Sequence, residues 1–214
     1  MNIGNRKIIL GSASPRRKEL LQGLDIDFEV DTCNDFEEIY SDDTPHEKIP
    51  EVLSEGKSFG FHRELKDNEI LITSDTLVLC EDKVMGKPRD REDAYQMLKL
   101  LSGRPHKVIT AVTLRDSERH STFSDTAKVY FKNLTDSEIY YYIDNFKPFD
   151  KAGAYGIQEW IGYIGIEKIE GSYFNIMGFP VHLVYQELMK YNLFERIVVL
   201  QQDQSIGTER KFTL

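Results

Sequence analysis

KIILGSASPRRKELL, Lys7 to Leu21, decides the fold class of this chain. Its opening residues, Lys7 to Leu10, form a short apolar run that reads as a buried strand. Gly11, Ser12, Ala13 and Ser14 then turn the chain. Pro15 suits the first helical position, where its missing N–H would be unpaired anyway, and Ser14 becomes the N-cap. Leu20, Leu21 and Leu24 supply the apolar stripe of the helix. A strand, a turn of small residues and a capped helix in direct succession point to interleaved helices and strands.

The same turn carries chemistry. N–H groups at a helix start are unpaired, and the helix dipole favours an anion beside them. Arg16 and Arg17 stand in the first turn, where the dipole alone would prefer acidic residues. A phosphate between the arginines and the helix resolves that conflict, and the arginine fork matches its oxygens. The alternative is an ordinary capped helix with solvated arginines. Neither GxxxxGK[ST] nor GxGxxG occurs in the chain, so the turn is neither a Walker loop nor a dinucleotide fingerprint.

Outward from this stretch, helical and strand-like segments alternate. Thr44, Pro45 and Glu47 predict a capping box opening a helix, with Pro50 in its first turn or resetting its start. Ile49, Leu53 and Lys57 then share one face. Ile70–Thr73 and Leu77–Cys80 read as strands, with Ser74, Asp75 and Thr76 between them. Asp90 caps a helix whose buried stripe is Ala94, Met97, Leu98 and Leu101, stopped by Ser102-Gly103. Lys107–Arg115 and Ser121–Lys132 read as strands flanking a polar turn, and Thr135 with Glu138 forms a second capping box. Phe149–Gln158 reads as a glycine-containing loop, Tyr163–Ile169 as a strand and Gly171–Gly178 as another loop. Pro180 opens an amphipathic helix through Tyr191. The expected class is α/β with a mixed sheet and flanking helices. One domain is expected over residues 1–198, followed by a loose polar tail over 199–214.

Composition narrows the function. The chain has 214 residues, 40% of them hydrophobic and 29% charged, with a net charge of −9. That balance is globular and argues against a basic nucleic-acid surface, though it leaves room for a local cationic pocket. No apolar run reaches the roughly 18 residues of a membrane span. MNIGNRK leads into a strand rather than a signal-peptide core, so the expected compartment is the cytosol. Cys33 and Cys80 show no CxxC spacing and read as buried small hydrophobes. The histidines, at 46, 62, 106, 120 and 182, lack zinc spacing.

Several residues are candidates for a site. Asp75 lies between two apolar segments; it is a partly buried carboxylate needing a cation or metal, or a turn aspartate. Lys57, Lys87 and Lys151 are isolated lysines that either converge on phosphates or snorkel at the surface. Glu37 and Glu38 belong to an acidic run from Asp35 to Asp43, a member of which can join Asp75 around a magnesium ion or simply face solvent.

Taken in order, LGSASPRRKELL, SDTLV, MGKP, QMLKLLSGRPHKVITAV, DKAGAYGIQ and IEGSYFNIMGFP make the chain resemble the Maf family of nucleoside-triphosphate pyrophosphatases. The likeness runs from Ile8 to about Leu188. It implies a twisted α/β sheet with two lobes around a cleft, and a homodimer. It also implies metal-assisted cleavage of a nucleoside triphosphate to the monophosphate and pyrophosphate. Asp75 would be the general base. Arg16, Thr76 and Gln158 would govern substrate choice, and Ser12, Arg17, Glu38, Lys57, Lys87 and Lys151 would complete the pocket. Mg²⁺ or Mn²⁺ would be held by Asp75 and Glu38. The GIQ motif resembles members preferring dTTP and UTP, with modified pyrimidine nucleotides as further candidates, over those acting on 7-methyl-GTP. A non-catalytic nucleotide sensor is the rival from another class. No stable nucleic-acid or membrane partner is expected. Two departures stand out. Glu159-Trp160 follows Gln158 where the subgroup usually has a glycine, and Thr73-Ser74 replaces the usual Gly-Ala before Asp75.

Overall fold

The computed structural model describes residues 5–191; the predicted domain boundary at 198 and the tail beyond it lie outside the described residues. Strand β1 (Lys7–Leu10) enters helix α1 (Pro15–Gln22) as predicted. Ser14 is the N-cap, its hydroxyl accepting from the Arg17 N–H. Strand β2 (Phe28–Val30) returns parallel to β1. Helix α2 (Ile49–Phe59) begins later than the Thr44 capping box predicts. A 3₁₀ turn at His46–Lys48, without a side-chain cap, precedes it. Pro50 is the cause: with no N–H and a fixed φ it fits only a first turn, so it sets the start.

The central strand corrects the sequence reading most. Strand β3 (Glu69–Cys80) is one strand of 12 residues, not two strands around a Ser74–Thr76 turn. Strand β5 (Pro105–Arg115) pairs antiparallel through the polar interval, with Ser74, Asp75 and Thr76 opposite Val112, Ala111 and Thr110. A continuous ladder overrides local polarity. Strand β4 (Lys83–Met85) folds back on β3, helix α3 (Arg91–Leu101) follows, and strand β6 (His120–Phe131) completes a hairpin with β5. Helix α4 (Asp136–Phe146) opens on the predicted Thr135/Glu138 capping box. The predicted strand over Tyr163–Ile169 starts late. Helix α5 (Trp160–Gly165) covers its first part, and strand β7 is Ile166–Glu170. The predicted loop 171–178 contains the short helix α6 (Tyr173–Ile176). Residues 181–191 are helical, with the Val184 N–H donating to the Pro180 carbonyl. Cys33 is exposed, against expectation, whereas Cys80 is buried.

The sheet is mixed, in the order β2-β1-β3-β5-β6-β7, with β4 also on β3. Alternation along β3 positions the site. Ile70 and Ile72 enter one apolar core with Leu21, Phe179 and Leu188. Val78 and Cys80, on the same face, enter another with Leu98, Phe131 and Tyr142. Between them that face carries Ser74 and Thr76, so the boundary between the two lobes is a polar gap in an apolar row. The neighbour strands leave the same gap. β1 pairs with β3 only as far as Ile72, and β4 only from Val78. The intervening edge of β3 is open, and Asp75 lies at its middle.

Candidate active site

A cleft of ≈ 730 Å³ opens at this edge, and every site candidate named from the sequence, from Ser12 to Gln158, lines it except Glu37. That volume suits a ligand of nucleotide size. Its elements converge because β1 ends where β3 is uncovered. The Gly11–Ser14 turn peels away there, after the Gly11 N–H donates to the Ile72 carbonyl.

Asp75 is held from α2. Lys57 Nζ donates to Asp75 Oδ1 at 2.6 Å and pairs with Glu38 Oε1 at 2.7 Å. The helical phase that buries Ile49 and Leu53 turns Lys57, on the same side, towards the strand. Lys57 holds the Glu38 carboxyl below its usual range, first by that hydrogen bond and then by its charge, with Lys87 and Arg17 adding to it. Both carboxylates therefore converge on one cation. Mg²⁺ is commonly held by one or two carboxylates together with substrate phosphates, and Asp75 with Glu38 fits that pattern. Among the described residues no cluster of three or more His, Cys, Asp or Glu forms a closed metal cage, so such an ion would share its coordination with the substrate.

The two arginines are not equivalent. Arg17 points inward: Nε donates to the Gly178 carbonyl at 3.0 Å, and Nη1 to the Ser74 carbonyl at 2.8 Å and Ser12 Oγ at 3.2 Å. Nη2 donates to Thr76 Oγ1 at 3.1 Å. Burial pushes its pKa down, against the pull of the Asp75 charge. Most of its donors are spent on the protein, so Arg17 braces the α1 start, β3 and the α6 end. Arg16 instead faces the cleft mouth, paired with Asp150 at 2.9 Å.

Thr76 is also committed. Its hydroxyl accepts from Arg17 and meets Thr110 Oγ1 at 3.1 Å, while Thr110 donates to the Asn175 carbonyl. The only consistent direction has Thr76 donating to Thr110. Towards a ligand Thr76 can then only accept. Gln158 is the opposite case: its amide makes no hydrogen bond to the described protein, and its buried Oε1 is without a partner. Lys87 is exposed at the cleft rim.

Lys151 is buried rather than snorkelling. Its Nζ pairs with Asp150 at 2.7 Å and Glu159 at 3.1 Å. Burial raises the Asp150 pKa, but hydrogen bonds from Lys151 and Arg16 outweigh it and hold the carboxyl below the usual range. Asp150 and Glu159 were not named as site residues from the sequence; an acid next to a lysine in a glycine loop was the available signal for the first. Also missed were Asn34, Phe36 and Tyr40, which with the expected Glu38 line the cleft as a wall over 34–40. Their period-two spacing marks an extended segment with one face inward. Asn34 ties this wall to the Lys57 carbonyl. Phe36 lies over Gly56 and Gly60, where an added Cβ would come within 2.2 and 2.6 Å of it.

Comparison with known proteins agrees with the cleft. The family described as Maf-like protein matches residues 7–191. A Parabacteroides distasonis protein named dTTP/UTP pyrophosphatase is 50% identical over 190 residues, covering 89% of this chain and 98% of its own. Proteins of the same name from Porphyromonas gingivalis strain W83 and Flavobacterium johnsoniae are 47% and 50% identical. They cover 89% and 85% of this chain and 96% and 93% of their own lengths.

Proposed function

This chain belongs to the Maf family, and on that premise we propose that it hydrolyses dTTP and UTP to the nucleoside monophosphate and pyrophosphate. Base-modified pyrimidine triphosphates are further substrates in this reading. The observation that carries it is the meeting of Asp75, Lys57 and Glu38 at an open strand edge, beside a glutamine whose amide oxygen has no partner among the described residues.

Asp75, oriented by Lys57, takes a proton from the attacking water as the bond to the α-phosphorus forms. The bond from the α-phosphorus to the bridging oxygen breaks, and pyrophosphate leaves. Arg16, Lys57 and Lys87 neutralise its growing charge. A divalent cation, Mg²⁺ or Mn²⁺, held by Asp75 and Glu38 with phosphate oxygens, would supply Lewis-acid charge withdrawal. Ser12 and Arg17 keep the turn in shape. Gln158 offers both donor and acceptor to a pyrimidine edge, Thr76 offers an acceptor, and Lys151 secures the loop that carries Gln158. No described helix is long and apolar enough to cross a membrane; a cytoplasmic homodimer is the assembly we expect.

A panel of canonical and modified triphosphates with Mg²⁺, scored for released pyrophosphate, tests this reading. We expect release from dTTP and UTP ahead of CTP, purine triphosphates and 7-methyl-GTP. Asp75→Asn should lower kcat by about 10³-fold and change nucleotide affinity less than about tenfold. Nucleotide binding without any release would make the protein a sensor, and wild-type turnover in Asp75→Asn would remove Asp75 from the mechanism.

A further inference from the structure

Glu159 directly follows Gln158, and its geometry is unusual. It occupies the N-cap position of α5, yet its side chain makes no capping hydrogen bond. The carboxylate turns back instead. Oε1 pairs with Lys151 Nζ at 3.1 Å, and Oε2 accepts from the Tyr142 hydroxyl. Tyr142 is fully buried on α4, and its hydroxyl in turn accepts from the Gly156 N–H at 3.0 Å. Burial pushes the Tyr142 pKa up, and Glu159 adds to the rise, so the phenol stays a donor.

These contacts close around Gln158. The Glu159 N–H donates to the Gly156 carbonyl at 3.0 Å, so residues 156–159 form a tight turn with Gln158 inside it. A Cβ on Gly156 would meet Glu159 Cδ at 2.9 Å and Gln158 Nε2 at 3.1 Å. The carboxylate and the amide therefore lie against the same bare glycine. Through Lys151 and Asp150 the network also reaches Arg16.

We propose that Glu159 is a positioning residue for base selection: by gripping Lys151 and Tyr142 together it fixes the 156–159 turn that presents the Gln158 amide to the pyrimidine. The proposal rests on the dTTP/UTP reading of the cleft. The Gln158 amide bonds to none of the described residues, so its place against the base is set by the backbone of this turn, and a turn that shifts weakens its donor–acceptor pairing with uracil. With Glu159 in place, the backbone that carries Gln158 is held before substrate arrives, which lowers the ordering cost of binding.

The test compares wild type, Glu159→Gln and Tyr142→Phe. Glu159→Gln keeps the shape and removes the charge that binds Lys151, whereas Tyr142→Phe removes the other grip. kcat and KM for UTP and CTP are measured together with the Kd of their non-hydrolysable α,β-imido analogues and the melting temperature. The expected result is a rise of about tenfold in KM and Kd for the uridine nucleotide, a smaller change in kcat, and a UTP-to-CTP preference that falls about tenfold. The double variant should lose little more than either single one, because both act on one network. An unchanged preference overturns the proposal. So does an equal loss for both nucleotides that follows the melting temperature, which would make Glu159 a structural strut. Wild type that binds the uridine analogue preferentially but releases no pyrophosphate would sink the hydrolytic reading while leaving Glu159 to be decided by the Kd ratio.

Discussion

Replacing Arg17 by lysine keeps the charge and removes the fork. Four protein oxygens, from Ser12, Ser74, Thr76 and Gly178, receive that guanidinium. A single ammonium cannot serve carbonyls on β3 and at the end of α6 from one point. Losing two of the four, at about 1.5–3 kcal/mol for each bond to a charged group, destabilises the fold by about 3–6 kcal/mol. For a domain of this size that lowers Tm by roughly 10 °C. Arg16→Lys should behave differently. Its pair with Asp150, whose side chain is 57% exposed, contributes about 0–1 kcal/mol. Tm should therefore move by less than about 3 °C, while KM for UTP rises about tenfold as the phosphate loses a forked partner. Scanning calorimetry and pyrophosphate release on the two variants read both quantities. If Arg17→Lys melts with the wild type and only its KM rises, the brace has been misassigned and both arginines are substrate hands.

Other perturbations read other parts of the molecule. Burial lowers the His106 pKa from 6.5 to about 4, so the unfolded chain takes up this proton first as pH falls. His106 thus contributes stability that is full above pH about 6.5 and declines by about 3 kcal/mol on the way down to pH 4. Urea titrations across that range should show the decline in wild type, and His106→Gln should flatten it; equal slopes would refute the burial argument. Chelation with EDTA should stop pyrophosphate release and leave the melting temperature unchanged, because the described residues form no closed metal cage; a lowered Tm would point to a structural ion. Gly56→Ala should favour α2 by about 1 kcal/mol but push Phe36 out of its contact, at a cost of about 1.5–3 kcal/mol in lost burial. The expected sum is a destabilisation of about 1 kcal/mol by urea unfolding, with a raised KM as the wall bearing Glu38 shifts; a stabilised variant with unchanged KM would show that the ring relocates freely.

Local signals in the sequence reached the elements whose cause is local. Ser14 before Pro15, Asp90 at the start of α3 and the Thr135/Glu138 box all cap helices as read. The largest error arose where a partner strand decides the outcome. Ser74-Asp75-Thr76 looks like a turn until β5 pairs across it. The open edge that exposes Asp75 exists only because β1 and β4 are short, a property of three segments that no window of sequence contains. The division of labour between Arg16 and Arg17 was closer to hand. Leu21 is buried in α1, and Leu20 and Leu24 pack against the same core; residue 17 stands three, four and seven positions before them, on the same stripe. Helical phase alone therefore turns Arg17 inward. A cation on a buried stripe needs oxygens to meet it, and the carbonyls of Ser74 and Gly178 do so. The Ser74 carbonyl is free to accept because Ser74 lies two residues past Ile72, whose carbonyl takes the last bond from the turn after β1. The open edge that admits substrate to Asp75 is thus the same edge that anchors Arg17, and shortening β1 produces both.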